Sequence, residues 1–216
     1  MKKNIVLFVL FILPIVAYLF FASGVNSFAK LPTLTKSLPE ISNFKTDDGK
    51  ITSLKNKITI LGFGGTILHK GNFFNLYEKI YAKNKDFKDF QIVFICPEGT
   101  QSKVEDLKND LKKLGDLKGW HFVFGEPSAI NEFHNKMKLV STLDANSGTE
   151  TVFIIDKKLN LRGRKGKSVK GDVEYREGYN TKMVSELHNE MTDDVKVILA
   201  EYRLALKRNH NATRQI

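Results

Sequence analysis

The sequence predicts an α/β domain with a mixed, mainly parallel central sheet flanked by helices, behind a single apolar N-terminal span. Three observations carry this. KITILGF and DFQIVFIC are continuous apolar, β-branched runs of the kind that form strands buried on both faces. Such runs alternate along the chain with segments of helical period, and that alternation calls for parallel strands covered by helices. The last run, TVFIID, is followed after the turn Lys157–Asn160 by LRGR, which adds an antiparallel edge.

The N-terminal stretch Ile5 to Ala22, IVLFVLFILPIVAYLFFA, is 18 residues without a charge in a chain of 216. That is about the length needed to cross a hydrocarbon core of roughly 30 Å. Lys2 and Lys3 precede it, and positive flanks stay on the cytoplasmic side. The expectation is a single-pass anchor over residues 1–23 in a bacterial-type inner membrane, with the C-terminal domain in the periplasm. Ser27-Phe28-Ala29 keeps open a secreted form produced by signal cleavage, although the apolar run is longer than the roughly 7–15 residues of a signal core. Residues 24–40 contain Pro32 and Pro39, show no sustained period, and read as a linker. Residues 41–208 are within the usual size of one domain, and 209–216 read as a flexible tail.

Within the domain, FKTDDGKITSL places Asp48-Gly49 between two short alternating runs, a β-hairpin signal. KITILGF is the first core strand. GNFFNLYEKIYAKN then repeats apolar residues at helical spacing through Phe73, Phe74, Leu76, Tyr77, Ile80 and Tyr81. DFQIVFIC is the second strand. A helix from Asp106 to Leu114 stops at Gly115. GWHFVFG is the third strand, and Pro127 fits the first turn of the helix after it. After TVFIID, Thr192 is a plausible N-cap for a last helix through about Arg208.

Composition limits the chemistry. Cys96 is the only cysteine, so no intramolecular disulfide is possible. The net charge is +10, but an outward-facing domain has no nucleic acid to meet, and a lysine-rich surface accounts for the charge. The densest patch, KKLNLRGRKGK at 157–167, suits an acidic partner or lipid head groups, and equally a solvated hairpin tip. GFGGT lacks both the GxGxxG pattern and the Gly-Lys-Ser/Thr ending of a phosphate loop, so its glycines read as a tight turn. His69, His121, His134 and His188 are scattered, and Met183, Leu187 and Met191 share one helical face that reads as core. Neither set has the spacing of a metal site, so no metal and no cofactor is expected. Asp156 reads as a turn former.

These segments resemble a known group. LPEISNFKTDDGKITSLKNKITILGF is similar to the opening of exported peroxiredoxin-like, Sco-like and thioredoxin-like domains. GWHFVFGEPSAINEF and TVFIIDKKLNLRGR are similar to Sco/SenC segments, and EGYNTKMVSELHNEMTDDVKVILAEY to their C-terminal helical end. The resemblance implies a thioredoxin-like fold, a membrane anchor and a place in cytochrome oxidase assembly. It also implies a CxxxC pair after the first core strand and a histidine before the last. Aligned on these motifs, Ile67 and Gly71 stand where the cysteines belong and Gly148 where the histidine belongs. Glu150 stands where thioredoxin-like relatives carry a cis-proline. The expected function is therefore a degenerate, non-catalytic Sco-like protein that binds a protein partner outside the cytoplasm. The alternative is a one-cysteine peroxidase or thiol oxidoreductase using Cys96.

Overall fold

Three adjacent strands run parallel, and their side chains are buried on both faces of the sheet with few exceptions. The computed structural model describes residues 8, 10–16, 18, 30–167 and 171–208, with the backbone alone for 204–208. Its strands are β1 (Thr33–Thr35), β2 (Ile58–Gly64), β3 (Phe90–Pro97), β4 (Trp120–Gly125), β5 (Gly148–Ile155), β6 (Leu161–Arg162), β7 (Arg164–Lys167), β8 (Val173–Arg176) and β9 (Tyr179–Asn180). β2, β3 and β4 pair in parallel, and every residue of β3 is buried. β5 lies antiparallel on the other side of β2, followed by β6 and β1, giving the order β4-β3-β2-β5-β6-β1. β9 pairs with the first half of β5, beyond the reach of β6. β7 and β8 form a separate two-stranded hairpin.

Helices cover both faces. α1 (Lys70–Leu76) runs without interruption through a π turn, Tyr77–Tyr81, into α2 (Ala82–Asn84). α3 (Gln101–Lys112) and α4 (Pro127–Lys136) follow β3 and β4. α5 (Val184–Glu186) passes through a second π turn, Leu187–Met191, into α6 (Thr192–Arg208). Adjacent strand residues point to opposite faces. Ile60, Ile92, Phe94 and Phe122 therefore pack with Phe73, Ile80, Leu107 and Ile198 on one side. Leu61, Phe63, Val93, Ile95 and Val123 pack with Ile41, Leu54, Ile130 and Phe133 on the other.

Several expectations are corrected. Residues 31–40 belong to the domain: Leu31 and Leu38 are buried, and β1 completes the sheet edge. The Asp48-Gly49 turn forms with Gly49 at positive φ, but only isolated bridges, Lys45–Ile51 and Lys45–Phe124, stand where a hairpin extension is expected. Thr192 is not an N-cap: it has helical φ and ψ and continues the π turn into α6, and its N–H and its hydroxyl (2.9 Å) both donate to the carbonyl of Leu187. The helix after β3 starts at Gln101 rather than Asp106.

Residues 8, 10–16 and 18 are helical and exposed, and the rest of Ile5–Ala22 lies outside the described residues, as do the candidate cleavage site and 209–216. No helix among the described residues is long and apolar enough to cross a membrane.

Arg162 fastens the far edge. It is buried, and its guanidinium donates to Asp156 (2.9 Å), Glu201 (2.7 Å) and twice to the carbonyl of Leu31 (3.0 and 2.5 Å). Asp156 also forms the turn predicted for it, accepting from the backbone N–H of Lys158 and Asn160.

Candidate functional site

The end of β2 and the start of β5 meet through backbone alone. β2 runs out at Gly64, paired with Gly148 across an irregularity in the ladder. A Cβ on Gly62 would stand 2.2 Å from the Phe94 ring, and one on Gly64 would stand 2.7 Å from Cys96 Sγ. Gly65 adopts φ +64. The turn is therefore pressed onto the next strand, and side chains are missing there because the neighbours occupy their space. The loop before β5 locks against it. Thr66 donates from its N–H to Asn146 O (3.2 Å), and its hydroxyl reaches Asn146 Oδ1 (2.9 Å). Asp144 Oδ1 accepts from the N–H groups of Asn146 and Gly148, both at 2.8 Å.

A cleft of about 500 Å³ opens beside this latch. Its floor is apolar, made by Phe63, Phe73 and Phe94, with Ile67 56% exposed at the rim. Phe73 and Phe94 stack onward into Trp120 and Phe122. Its walls are polar: Asn72 and His69 from the start of α1, Thr142 and Asp144 from the loop before β5, Thr149, Glu150 and Thr151 from β5, and Asn180 and Thr181. Thr181 is fixed by its N–H and hydroxyl, which both donate to the carbonyl of Glu150 (2.9 and 2.7 Å). An apolar floor with a hydrogen-bonding rim is the usual form of a binding site.

Ile67, Gly148 and Glu150, chosen from distant segments, all line this cleft. Gly71 does not; it lies exposed in the first turn of α1 with open space around it. The threonines and Asn180 were not legible as site residues, since they come from separate segments with no shared spacing. Cys96 sits behind the cleft, fully buried beneath Gly64, and burial pushes its thiol up to about 12. His134 lies on the opposite face of the sheet and His188 on the second π turn. Among the described residues, no three His, Cys, Asp or Glu side chains gather in a way that could hold a metal ion.

No family model matches the sequence, and no curated protein matches it. Solved structures do match in shape. The cleft lies where β2, α1 and the antiparallel β5 meet, on a sheet ordered β4-β3-β2-β5-β6. This is the fold of the Sco/SenC proteins. One Sco-like neighbour is BsSco, described as a member of the Sco family of cytochrome c oxidase assembly proteins with a disulfide switch. It matches at TM-score 0.56 and 16% identity, over 81% of this chain and 98% of that one. Another is a SCO1/SenC family lipoprotein from Bacillus anthracis str. Ames, at TM-score 0.55 and 18% identity, over 79% and 99%.

The lining of the cleft holds no thiol or thioether side chain. Copper(I) takes soft thiolate or thioether ligands. Ile67 and Gly71 supply neither, and a side chain at Gly148 would run into Gly65. The one thiol, Cys96, is buried on strand β3.

Proposed function

We propose that this chain is a membrane-anchored, extracytoplasmic Sco-like protein that binds a protein partner in respiratory-complex assembly and carries out no thiol or copper chemistry. The observation that carries the reading is the cleft itself. It lies where the end of β2, the start of α1 and β5 meet, the region to which the resemblance assigns an active site, and it has a hydrogen-bonding rim and no thiol in its lining. Cytochrome oxidase assembly comes from the description of BsSco. The uncharged run Ile5–Ala22 supports the anchor, and Lys2 and Lys3 before it support a domain on the periplasmic side. Ile67, Gly148 and Glu150 are then positions at which a redox site gave way to a binding surface, with Gly71 outside the cleft.

The test is affinity purification of the full chain from solubilised membranes, beside a Thr149→Arg/Thr151→Arg variant that fills the cleft. Oxidase subunits or their assembly partners should be retained by the parent and lost by the variant. An identical set of retained proteins would overturn the binding role of the cleft. Copper(I) titration addresses the other half, and tight stoichiometric uptake would sink the copper-free reading.

A further inference from the structure

The chain enters the domain at the root of the β7–β8 hairpin. Gly163 N–H donates to Pro32 O (3.1 Å), Arg162 holds the carbonyl of Leu31, and β7 starts at Arg164. The two faces of this hairpin differ in kind. Lys165 lies opposite Tyr175 and Lys167 opposite Val173, so these four side chains share one face. Arg164, Glu174 and Arg176 lie on the other, which is clamped to the helices. Arg164 pairs with Asp194 (2.8 Å) and Glu174 (3.1 Å), and Arg176 with Glu186 (2.7 Å) and Glu190 (2.6 Å).

The clamp holds the first face outward. Val173 is 87% exposed and Tyr175 48% exposed. Beyond the strand ladder, neither the Lys165 nor the Lys167 side chain has a hydrogen bond or ion pair among the described residues. An aliphatic residue, a tyrosine and two unpaired lysines on one rigid face match the chemistry of a lipid headgroup zone. A purely solvated hairpin has no need of the valine.

Position makes the match specific. Seven residues, Ser23 to Ala29, separate the apolar run from the first described residue of the domain. They span at most about 25 Å when fully extended. The root itself is bonded to Pro32, ten residues beyond Ala22, so an anchored Ile5–Ala22 keeps the hairpin root within about 35 Å of the bilayer.

We propose that the face carrying Lys165, Lys167, Val173 and Tyr175 docks on the anionic headgroup surface of the membrane that holds the N-terminal segment, and so fixes the orientation of the cleft. This rests on the anchored reading of Ile5–Ala22. Two lysines brought to an anionic surface strengthen the contact by roughly 25-fold.

The test uses the full chain with Val173→Cys carrying an environment-sensitive fluorophore; buried Cys96 stays unlabelled. It is mixed with phosphatidylcholine vesicles, or with the same vesicles containing phosphatidylglycerol, and floated on a density gradient. The expected result is flotation with both, and a blue shift only with phosphatidylglycerol that high salt or Lys165→Glu/Lys167→Glu abolishes. Flotation with both and equal emission in both overturns the docking face and leaves the anchor standing. Flotation only with phosphatidylglycerol, lost in the lysine variant, supports the docking face and refutes the anchor. Flotation with neither refutes both.

Discussion

Gly65 and Gly148 touch backbone to backbone: a Cβ built on either would lie 2.9 Å from the Cα of the other. Gly65 is doubly constrained because its φ is +64. This contact joins the end of the first core strand to the start of the antiparallel one, at the edge of the cleft. Gly148→Ala is expected to destabilise the fold by about 1–3 kcal/mol, the range for forcing atoms into a packed site. Gly148→His should cost more. Urea unfolding measures both. A histidine accepted at 148 without loss would show that the latch opens freely.

Much of the scaffold is legible in the sequence because burial writes itself locally. β2, β3, β4 and β5 are apolar runs, and the helix after β2 repeats Phe73, Leu76, Tyr77 and Ile80 at the spacing that the core needs. What is hidden depends on partners far along the chain. β1 has three residues and is held by pairing with β6, so Thr33–Thr35 offers no period to read. β7 and β8 look like solvated basic loop, since the acids that clamp them, Asp194, Glu186 and Glu190, belong to later helices. The π turns add a residue to a helical repeat without marking it. The cleft was half legible: Ile67, Gly148 and Glu150 follow from resemblance, but Thr181 reaches it only because β9 returns to β5 after the hairpin.

Cys96 should behave as a core atom. Alkylation of the folded protein is expected to be undetectable from neutral pH to about pH 9 and to become rapid on denaturation, because only the thiolate reacts. Burial holds the folded thiol far above its ordinary value of 9.0, up to about 12. The unfolded chain therefore loses this proton first, and stability falls as pH rises through that window. Cys96→Ala should flatten this part of the alkaline decline. Rapid labelling of native protein at neutral pH would revive the oxidoreductase reading.

Arg162→Met should be the most damaging single change at the sheet edge, at about 3–5 kcal/mol, because it leaves a buried carboxylate without its partner. In the parent, burial alone would raise the Asp156 carboxyl, but hydrogen bonds from Asn160, Arg162 and Lys158 outweigh it and hold it below 3.8. That stabilisation is complete above the ordinary carboxylate value and is lost as pH falls through the lowered one. Without Arg162 the burial effect gains ground, so acid unfolding followed by circular dichroism should begin at a higher pH in the variant. An unchanged acid midpoint would mean that Glu201 and Leu31, rather than Asp156, are what Arg162 serves.

His134 gives the fold a second acid-sensitive point. It is buried, its ring meets Phe63 edge-on at 5.2 Å between centroids, and its Nε2 has no hydrogen-bond partner. Burial lowers its pKa from 6.5, and the nearby Glu177 carboxylate opposes this without reversing it. Glu177 is itself engaged by the N–H groups of Val140 and Ser141 and by the Tyr175 hydroxyl, which limits what it offers to an imidazolium. The unfolded histidine therefore protonates first. The native state has its full advantage above pH 6.5 and loses it as pH falls through the lowered folded value. His134→Met fills similar space without a titrating group, so it should change stability by less than about 1.5 kcal/mol at neutral pH and remove this part of the decline. Urea midpoints for parent and variant at about pH 8 and pH 5.5 provide the check. Parallel declines in the two proteins would place the acid sensitivity elsewhere.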